Sequence, residues 1–580
     1  MSKKESPRLV LLPTFPTAAV VVAATTAGAA AVVATLTAGG GAASWAAVAT
    51  AAATTAIVTA LVWPRVATDV LGLHGTSFPS PADGGDMPLL GRVPQLVTAA
   101  RGKTLVHTYL DWQRRVGWGV NHQFYTLGRR AVVIVDPDDI RAVAMRLNAP
   151  RDQRKLRFFG TPLSADMLFV VPDPRHDNAR RLVHPFLSGT PTTETVLRVV
   201  NETLWGVPSR SVGSDGARSG GGAAPPARWA AHLEALADSG ESVDIDDLAT
   251  SFTVHMIYAL LYSETPSLSE LADEKDRLIR LIADTTALVG LPAPELLGRA
   301  RMTSLRKAGD KFFIEFERRA AARRAAYVTG ATAAQPPRDM LDVMLADLDK
   351  GKTGAYQGDR RRVAADMLFY VLAGYDTTAH SIAWTMHALL DNPDVEARLV
   401  AELDFAMPPA GQPITAAHLA AMPYADAVWK ESLRRFPPAP NGSIRKLPAD
   451  LRLPSSGDVI PAGTVVHLPI IANHHNPTAY ASPLAFDPTR WLPPTAPGGG
   501  GHTPAAQRAA RTHFLAFHLG PRACPGQNMA AVEAKAMLSV LFHRYRWSRV
   551  GDSADVVLEN LLTLRPAGLR VTLQRRAVRA

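Results

Sequence analysis

The chain has 580 residues, 47% of them hydrophobic and 20% charged, with a net charge of +10 and a single cysteine, Cys524. These values exclude a wholly disordered chain and any intrachain disulfide, so a reducing, cytosol-facing compartment is expected for the folded part. The lysines and arginines are scattered, with no zinc-finger, basic-zipper or RNA-recognition pattern. No nucleic-acid partner is therefore expected, and acidic proteins or anionic lipid suit the sign of the charge.

No charged residue occurs between Leu9 and Pro64, a length of roughly two bilayer crossings at about 20 residues each. Gly39-Gly40-Gly41 separates the apolar halves Ala18–Leu36 and Ala43–Leu61, and Lys3, Lys4, Arg8 and Arg65 flank them. A membrane anchor over 1–65 is expected. The charge pattern fits a two-helix hairpin with both ends cytosolic, and a single span or a cleaved signal peptide are the alternatives. Residues 66–90, with Pro-rich Ser77–Pro88, read as a linker or lid leading to one large domain over 91–580.

Within that domain, Gln123–Val135 predicts a strand pair turning at Gly128, and Asp136-Pro137-Asp138-Asp139 predicts a capped helix. Most of Leu233–Leu403 has helical periodicity, and strands recur over Leu451–Leu468 and near the C-terminus. The Gly-, Ala- and Pro-dominated stretches 209–227 and 494–506 predict disordered surface insertions. The expected fold class is mainly α with a smaller β part, preceded by a transmembrane segment.

Three clusters carry chemistry. In Phe514–Gly526, Gly520, Gly526, Pro521 and Pro525 predict a tight loop before a helix starting near Gln527. Such a loop, with the helix N-terminus behind it and Arg522 two residues away, would hold the Cys524 sulfur as a thiolate. Over Val363–Leu390 a long apolar helix carries Ala373-Gly374-Tyr375-Asp376-Thr377-Thr378. Glycine and two threonines cost helix stability, and their hydroxyls compete for backbone carbonyls. In Tyr424–Phe436, a helix stopped by Pro437-Pro438, Glu431 and Arg434 share one face at i and i+3.

These residues resemble the cytochrome P450 family. Phe517, Gly520, Arg522, Cys524 and Gly526 match its haem signature F-x-x-G-x-R-x-C-x-G. The resemblance implies Cys524 as iron ligand, Arg522 on a haem propionate and Phe517 beside the thiolate. The string from Ala373 to Thr378 resembles the family's [A/G]-G-x-[D/E]-T-[T/S]. There the glycine, here Gly374, makes room for dioxygen, and the acid and first threonine, Asp376 and Thr377, manage proton delivery. Glu431-x-x-Arg434 with Phe486-x-Pro488-x-Arg490 resembles E-x-x-R and F-x-P-x-R, implying a buried triad of Glu431, Arg434 and Arg490. Arg445, and His176 with Arg180, resemble further cations that hold propionates. Thr563–Leu569 resembles the closing β-hairpin, with Leu561 and Leu562 toward substrate.

The resemblance implies the cytochrome P450 fold, haem b, and monooxygenation of a lipophilic substrate such as a sterol or fatty acid. Phe369, Leu372, Ala373, Ala439 and Leu561 are the expected pocket residues. It also implies NADPH supplied through a separate NADPH-cytochrome P450 reductase, with cytochrome b5 as a second candidate donor, at the endoplasmic reticulum membrane. A basic face including Lys430, Arg435 and Arg511 is expected to dock the flavoprotein. The competing readings are a peroxide-using isomerase or dehydratase, and a non-catalytic haem- or lipid-binding protein. The intact Asp376-Thr377 pair favours true monooxygenation.

Overall fold

The computed structural model describes residues 78–81 and 95–577, except 97, 100–101, 127–128, 153–166, 170, 172, 208–227, 290–298, 329–336, 496–500 and 561. The expected anchor over 1–65, most of the 66–90 linker and the 209–227 stretch lie outside the described residues. Among the described residues no helix is long and apolar enough to cross a membrane. Phe78 is buried, and Pro79 O accepts from Gln123 N, so this part of the linker lies against the first strand.

In chain order the helices are α1 (Leu105–Val116), α2 (Pro137–Arg141), α3 (Arg175–Ser188), α4 (Thr190–Val200), α5 (Arg228–Ser239) and α6 (Ile245–Tyr262). Then follow α7 (Leu268–Val289), α8 (Arg299–Val328), α9 (Met340–Asp349), α10 (Arg360–Asp391) and α11 (Pro393–Ala406). The last are α12 (Ala416–Ala420), α13 (Pro423–Arg435), α14 (Ile470–His474), α15 (Pro504–His513) and α16 (Gln527–Arg544). The fold is mainly helical with a smaller β part, as expected.

The main sheet has the order β1 (His122–Thr126), β2 (Arg129–Val133), β7 (Val465–Leu468), β4 (Ser443–Lys446). β1 and β2 form the expected hairpin, with His122 opposite Val133, and β2 pairs in parallel with β7. Asp136 caps α2 by accepting from the N–H groups of Asp138 and Asp139. Two further sheets pack near the C-terminus. One is the hairpin β9 (Val557–Asn560) and β10 (Leu564–Ala567); the other is β3 (Val243–Asp244), β11 (Arg570–Arg575) and β8 (Tyr545–Val550). β5 (Leu451–Arg452) and β6 (Val459–Ile460) make a short outlying pair.

The centre is the packed pair α6 and α10, each apolar around nearly its whole circumference, as a fully enclosed helix must be. Asp359 caps α10 by accepting from Arg362 N, and Asn392 followed by Pro393 ends it and starts α11. One expectation is corrected. Residues 501–506 are not a disordered insertion: Thr503 caps α15, Gln507 is buried and donates to Leu492 O, and His502 Nε2 lies 2.7 Å from Asp487 Oδ2. Polar anchors hold a segment whose composition lacks the apolar residues to hold it.

The triad is formed. Arg434 grips Glu431 with Nε at 2.9 Å and Nη2 at 2.8 Å, and both side chains are fully buried. Arg490 Nε reaches Glu431 Oε1 at 3.3 Å, and Trp491 Nε1, a partner the motif did not suggest, donates to Oε2 at 3.0 Å. The remaining guanidinium donors satisfy the carbonyls of His474, Pro483, Ala485 and Ala481, which pins the loop after α14 to α13. Removing the carboxylate strands two buried cations. Glu431→Ala is expected to cost about 3–5 kcal/mol, read as an early denaturation midpoint. Lys430→Ala, which removes only an exposed pair with Asp426, should cost less than about 1 kcal/mol.

Candidate functional site

The cysteine loop is held from both sides. Cys524 N donates to Phe517 O at 2.9 Å, and Arg180 Nη1, from α3, donates to Ala523 O at 2.6 Å. Gly520 has φ +79°, and a Cβ there would come within 2.4 Å of Ala144 O, so no side chain fits. The Cys524 side chain is solvent-accessible, yet burial is the largest influence on its thiol and raises it. Both hold because the sulfur lies deep in the molecule and opens onto interior space. The Gly526 N–H, Arg180 and Arg151 pull the thiol toward thiolate. On one side lies a cavity of about 410 Å³ bounded by Phe517, Trp429, Lys430, His184, Asn528 and Cys524 itself.

Cations gather around this sulfur. Arg445 on β4 is fully buried; its Nη1 donates to Ala149 O and its Nε to Ser443 Oγ, each at 3.0 Å. Arg522 donates to Val171 O at 3.3 Å and to Asp173 Oδ1 at 3.0 Å. Arg151 bridges Arg445 on the strand edge, and burial together with the charges of Arg445 and Arg522 drives it well below the usual guanidinium range. Burial and Arg522 likewise push Arg445 down to about 10. Arg151 went unrecognised in the sequence because it sits in no motif; only the pairing of its segment with β4 brings it here.

His176 lies 3.1 Å from Asp177 and 3.5 Å from Asp173, and burial, then the charge of Arg522, hold it down at about 3, where the neutral ring keeps one N–H to donate. Arg180 keeps its expected place on α3, with its donor on the cysteine loop. His518, between Phe517 and Gly520, is also neutral at about 3 through burial and the nearby Arg445 and Arg151; its Nε2 lies 2.9 Å from Ser443 Oγ.

Haem b fits these residues. Arg151 Nε, Arg445 Nη2, Arg522 Nε and His518 Nδ1 are buried without a hydrogen-bond partner, while Asp173 is the one carboxylate bonded to this cluster among the described residues. Buried cations without counter-charge are costly. The two propionates of haem are anionic acceptors of the kind these donors lack.

The opposite wall is α10. Within a helix buried from Arg362 to Leu389, Phe369, Leu372, Ala373, Gly374 and Thr377 are only half-buried. Spacings of three and four put Phe369, Leu372, Ala373 and Thr377 on one face, which therefore looks onto interior space. Arg151 lies 3.8 Å over the Phe169 ring, and Phe169 is 5.1 Å from Phe369, which ties the cation cluster to this face. Thr377 Oγ1 donates to Ala373 O at 2.8 Å, and Thr253 Oγ1 of α6 donates to Tyr375 O at 3.1 Å. Asp376 is buried on the neighbouring face and accepts from Thr563 Oγ1. Leu562 is half-buried in the β9–β10 turn; Leu561 lies outside the described residues.

Gly374 also meets a packing demand that the motif did not imply. A Cβ there would meet Ile257 Cδ1 of α6 at 2.5 Å and Met529 Cε of α16 at 3.7 Å. Its bareness lets three helices approach.

A mainly helical domain that combines a lone cysteine loop, a buried cation cluster and a long buried helix with one partly open face has the parts of the haem-thiolate class. The chain belongs to the cytochrome P450 family: the family model described as Cytochrome P450 matches residues 228–573. It is 36% identical over 227 residues to cytochrome P450 78A1 of Zea mays, covering 39% of each chain. It is 32% identical over 241 residues to cytochrome P450 4g15 of Drosophila melanogaster, covering 41% of this chain and 39% of the relative. It is 30% identical over 238 residues to the taurochenodeoxycholic 6 alpha-hydroxylase of Sus scrofa, covering 41% of this chain and 44% of the relative. The chain thus spans about two fifths of the length of the curated relatives it matches.

Gly374→Ala is expected to lower the melting temperature, at a cost of about 1–3 kcal/mol for overpacking. Ile257→Val in the same molecule should restore part of that loss, because the obstructing methyl is gone.

Proposed function

We propose that this protein is a haem-thiolate monooxygenase that inserts one atom of O2 into a lipophilic substrate, with electrons from NADPH delivered by a separate NADPH-cytochrome P450 reductase. The observation that carries this reading is the set of unpaired buried guanidinium nitrogens beside an accessible, deeply placed Cys524.

Bound haem supplies a thiolate-ligated iron at which dioxygen is activated. Cys524 is the ligand; burial raises its thiol, and the Gly526 N–H, Arg180 and Arg151 oppose that rise. Arg151, Arg445 and Arg522 hold the propionates, with neutral His518 as a further donor. Phe369, Leu372 and Ala373 form an apolar wall that excludes water, and Ala439, exposed between buried Pro438 and Pro440, is a further apolar residue for the pocket. Thr377 keeps its hydroxyl on the open face while bonded to Ala373 O, and Asp376 stores the acid one residue away. That retained pair favours monooxygenation over the peroxide-using isomerase reading.

A sterol, bile-acid-like or fatty-acyl substrate suits the apolar wall, the 1–65 segment as a membrane anchor, and the name of the pig relative, a taurochenodeoxycholic 6 alpha-hydroxylase. The cavity beside Cys524, with Lys430 on its rim, suits docking of an acidic flavoprotein, with cytochrome b5 as a second donor. Arg435 is withdrawn from that face: its Nε donates to Leu484 O, and burial lowers it to about 10. The proposed location is the endoplasmic reticulum membrane, with the domain facing the cytosol.

The reduced carbon monoxide complex should give the strongly red-shifted Soret band of a thiolate ligand. Cys524→Ala should abolish it, and a band that persisted would overturn the ligand assignment. Arg445→Ala should keep the band position while weakening haem retention about tenfold or more, the scale expected when a charge-assisted hydrogen bond is lost.

A further inference from the structure

Behind the face that looks onto the interior space, Asp376 is the inner end of a polar chain built from four elements. Thr563 Oγ1, just before β10, donates to Asp376 Oδ2. His380, one turn along α10, places Nδ1 2.7 Å from the same hydroxyl. Its other nitrogen, Nε2, lies 3.2 Å from Oδ1 of Asp246 in the first turn of α6, and 3.9 Å from Asp376 Oδ1. Asp246 Oδ2 is 3.8 Å from Arg565 Nη1 on β10. Arg565 in turn grips Glu559 at 2.8 Å, and Glu559 pairs with Lys103 at 2.9 Å. Side-chain exposure is 7% at His380 and 13% at Asp246, and larger at the outer end, 31% at Arg565, 20% at Glu559 and 38% at Lys103.

The donor directions are fixed by chemistry. Thr563 spends its one proton on Asp376, so its oxygen accepts from His380 Nδ1–H. With Nδ1 committed to Thr563, the other ring nitrogen, Nε2, faces Asp246 Oδ1. The 3.2 Å approach is not an aligned hydrogen bond, and Asp246 Oδ1 has no hydrogen-bond partner among the described residues, so a proton on either group can close the link. Burial favours the protonated carboxyl by raising Asp246. The groups facing Asp246 are His380 and Arg565, which lower it, Asp244 and Asp376, which raise it, and the buried Tyr375 hydroxyl. His380 Nδ1 and Thr563 Oγ1 therefore both donate toward the helix acid, with Asp246 behind them on the side of the β9–β10 surface.

We propose that Asp246, His380 and Thr563 form a proton relay that reloads Asp376 from solvent at the Arg565 and Glu559 surface, away from the Cys524 side. This rests on the monooxygenase reading for its purpose. In one passage Asp246 gives its proton to His380 Nε2, Nδ1 passes its proton to Thr563 Oγ1, and Thr563 passes its own to Asp376 Oδ2. One proton moves from Asp246 to Asp376, no electron moves, and Asp246 is refilled from water beside Arg565.

The alternative is that these bonds merely clamp the β9–β10 hairpin to α10, and the variants separate the two. Glutamine at 380 keeps a donor and an acceptor but carries no proton through, so His380→Gln preserves a clamp and breaks a relay. Thr563→Val breaks the relay, and Thr563→Ser restores it. With reductase, NADPH and a substrate found by spectral shift, His380→Gln and Thr563→Val should keep the thiolate Soret band. Product per NADPH should fall about a hundredfold, the lower end for losing a proton-transfer group, with the lost equivalents recovered as hydrogen peroxide, and Thr563→Ser should recover coupling. Unchanged coupling in both broken variants would overturn the relay. A parent protein that oxidises no substrate with reductase sinks the monooxygenase reading instead, and a second measurement then decides the relay alone. Infrared pH-difference spectra of the haem-loaded protein, without reductase, should contain a protonated-carboxyl band above the ordinary aspartate range. Asp246→Asn should remove it and His380→Gln should shift it; an identical band in all three proteins overturns the proposal.

Discussion

The concentration of positive charge around Cys524 is the constraint on which the site depends. Arg151, Arg445 and Arg522 are brought together by a strand edge, a strand and a loop, and each keeps a buried nitrogen that no protein group satisfies. Asp173 answers only one of them. A protein of ordinary marginal stability tolerates such a cluster only if something else in the molecule holds it rigid and an anion compensates it. The rigidity comes from Glu431, Arg434 and Arg490, where two guanidiniums are fully answered by one carboxylate and a ring of carbonyls. One group of buried charges is closed and serves as scaffold. The other is left open and serves as a binding site.

The chain's local chemistry made much of this legible. The spacing from Phe517 to Gly526 predicted the loop, and the structure adds why Gly520 is bare: Ala144 O occupies the space a side chain would need. The Glu431-to-Arg434 spacing and Arg490 announced the triad, and Asp136 announced its helix. What stayed hidden depended on contacts distant in sequence. Arg151 is ordinary until its segment bridges Arg445. Trp491 joins Glu431 across some sixty positions. The helix starting at Pro504 was misjudged because composition reports a poor apolar supply, whereas a cap at Thr503 and buried Gln507 supply the order.

Gly374 and His176 show how the neighbours of a motif residue add to what the motif says. A Cβ on the glycine would meet Ile257 and Met529, so it also serves close helix packing at the place where α6, α10 and α16 converge. Burial, and after it the charge of Arg522, lower His176, so its ring favours the neutral form with one N–H to donate. In both cases the pattern located the residue and the neighbours set its surroundings.

The hairpin β9–β10 links these features to the chemistry. It is bonded to α10 twice: Trp384 Nε1 donates to Leu564 O at 3.0 Å, and Thr563 bonds to Asp376 and His380. The turn that carries Leu562 is therefore set by the same bonds that orient the helix acid. The residue after that turn hydrogen-bonds Asp376, so the hairpin and the carboxylate share one hydrogen bond, while the α6–α10 core behind them is close-packed. The position of the β9–β10 turn and the orientation of the acid are thus tied by one threonine.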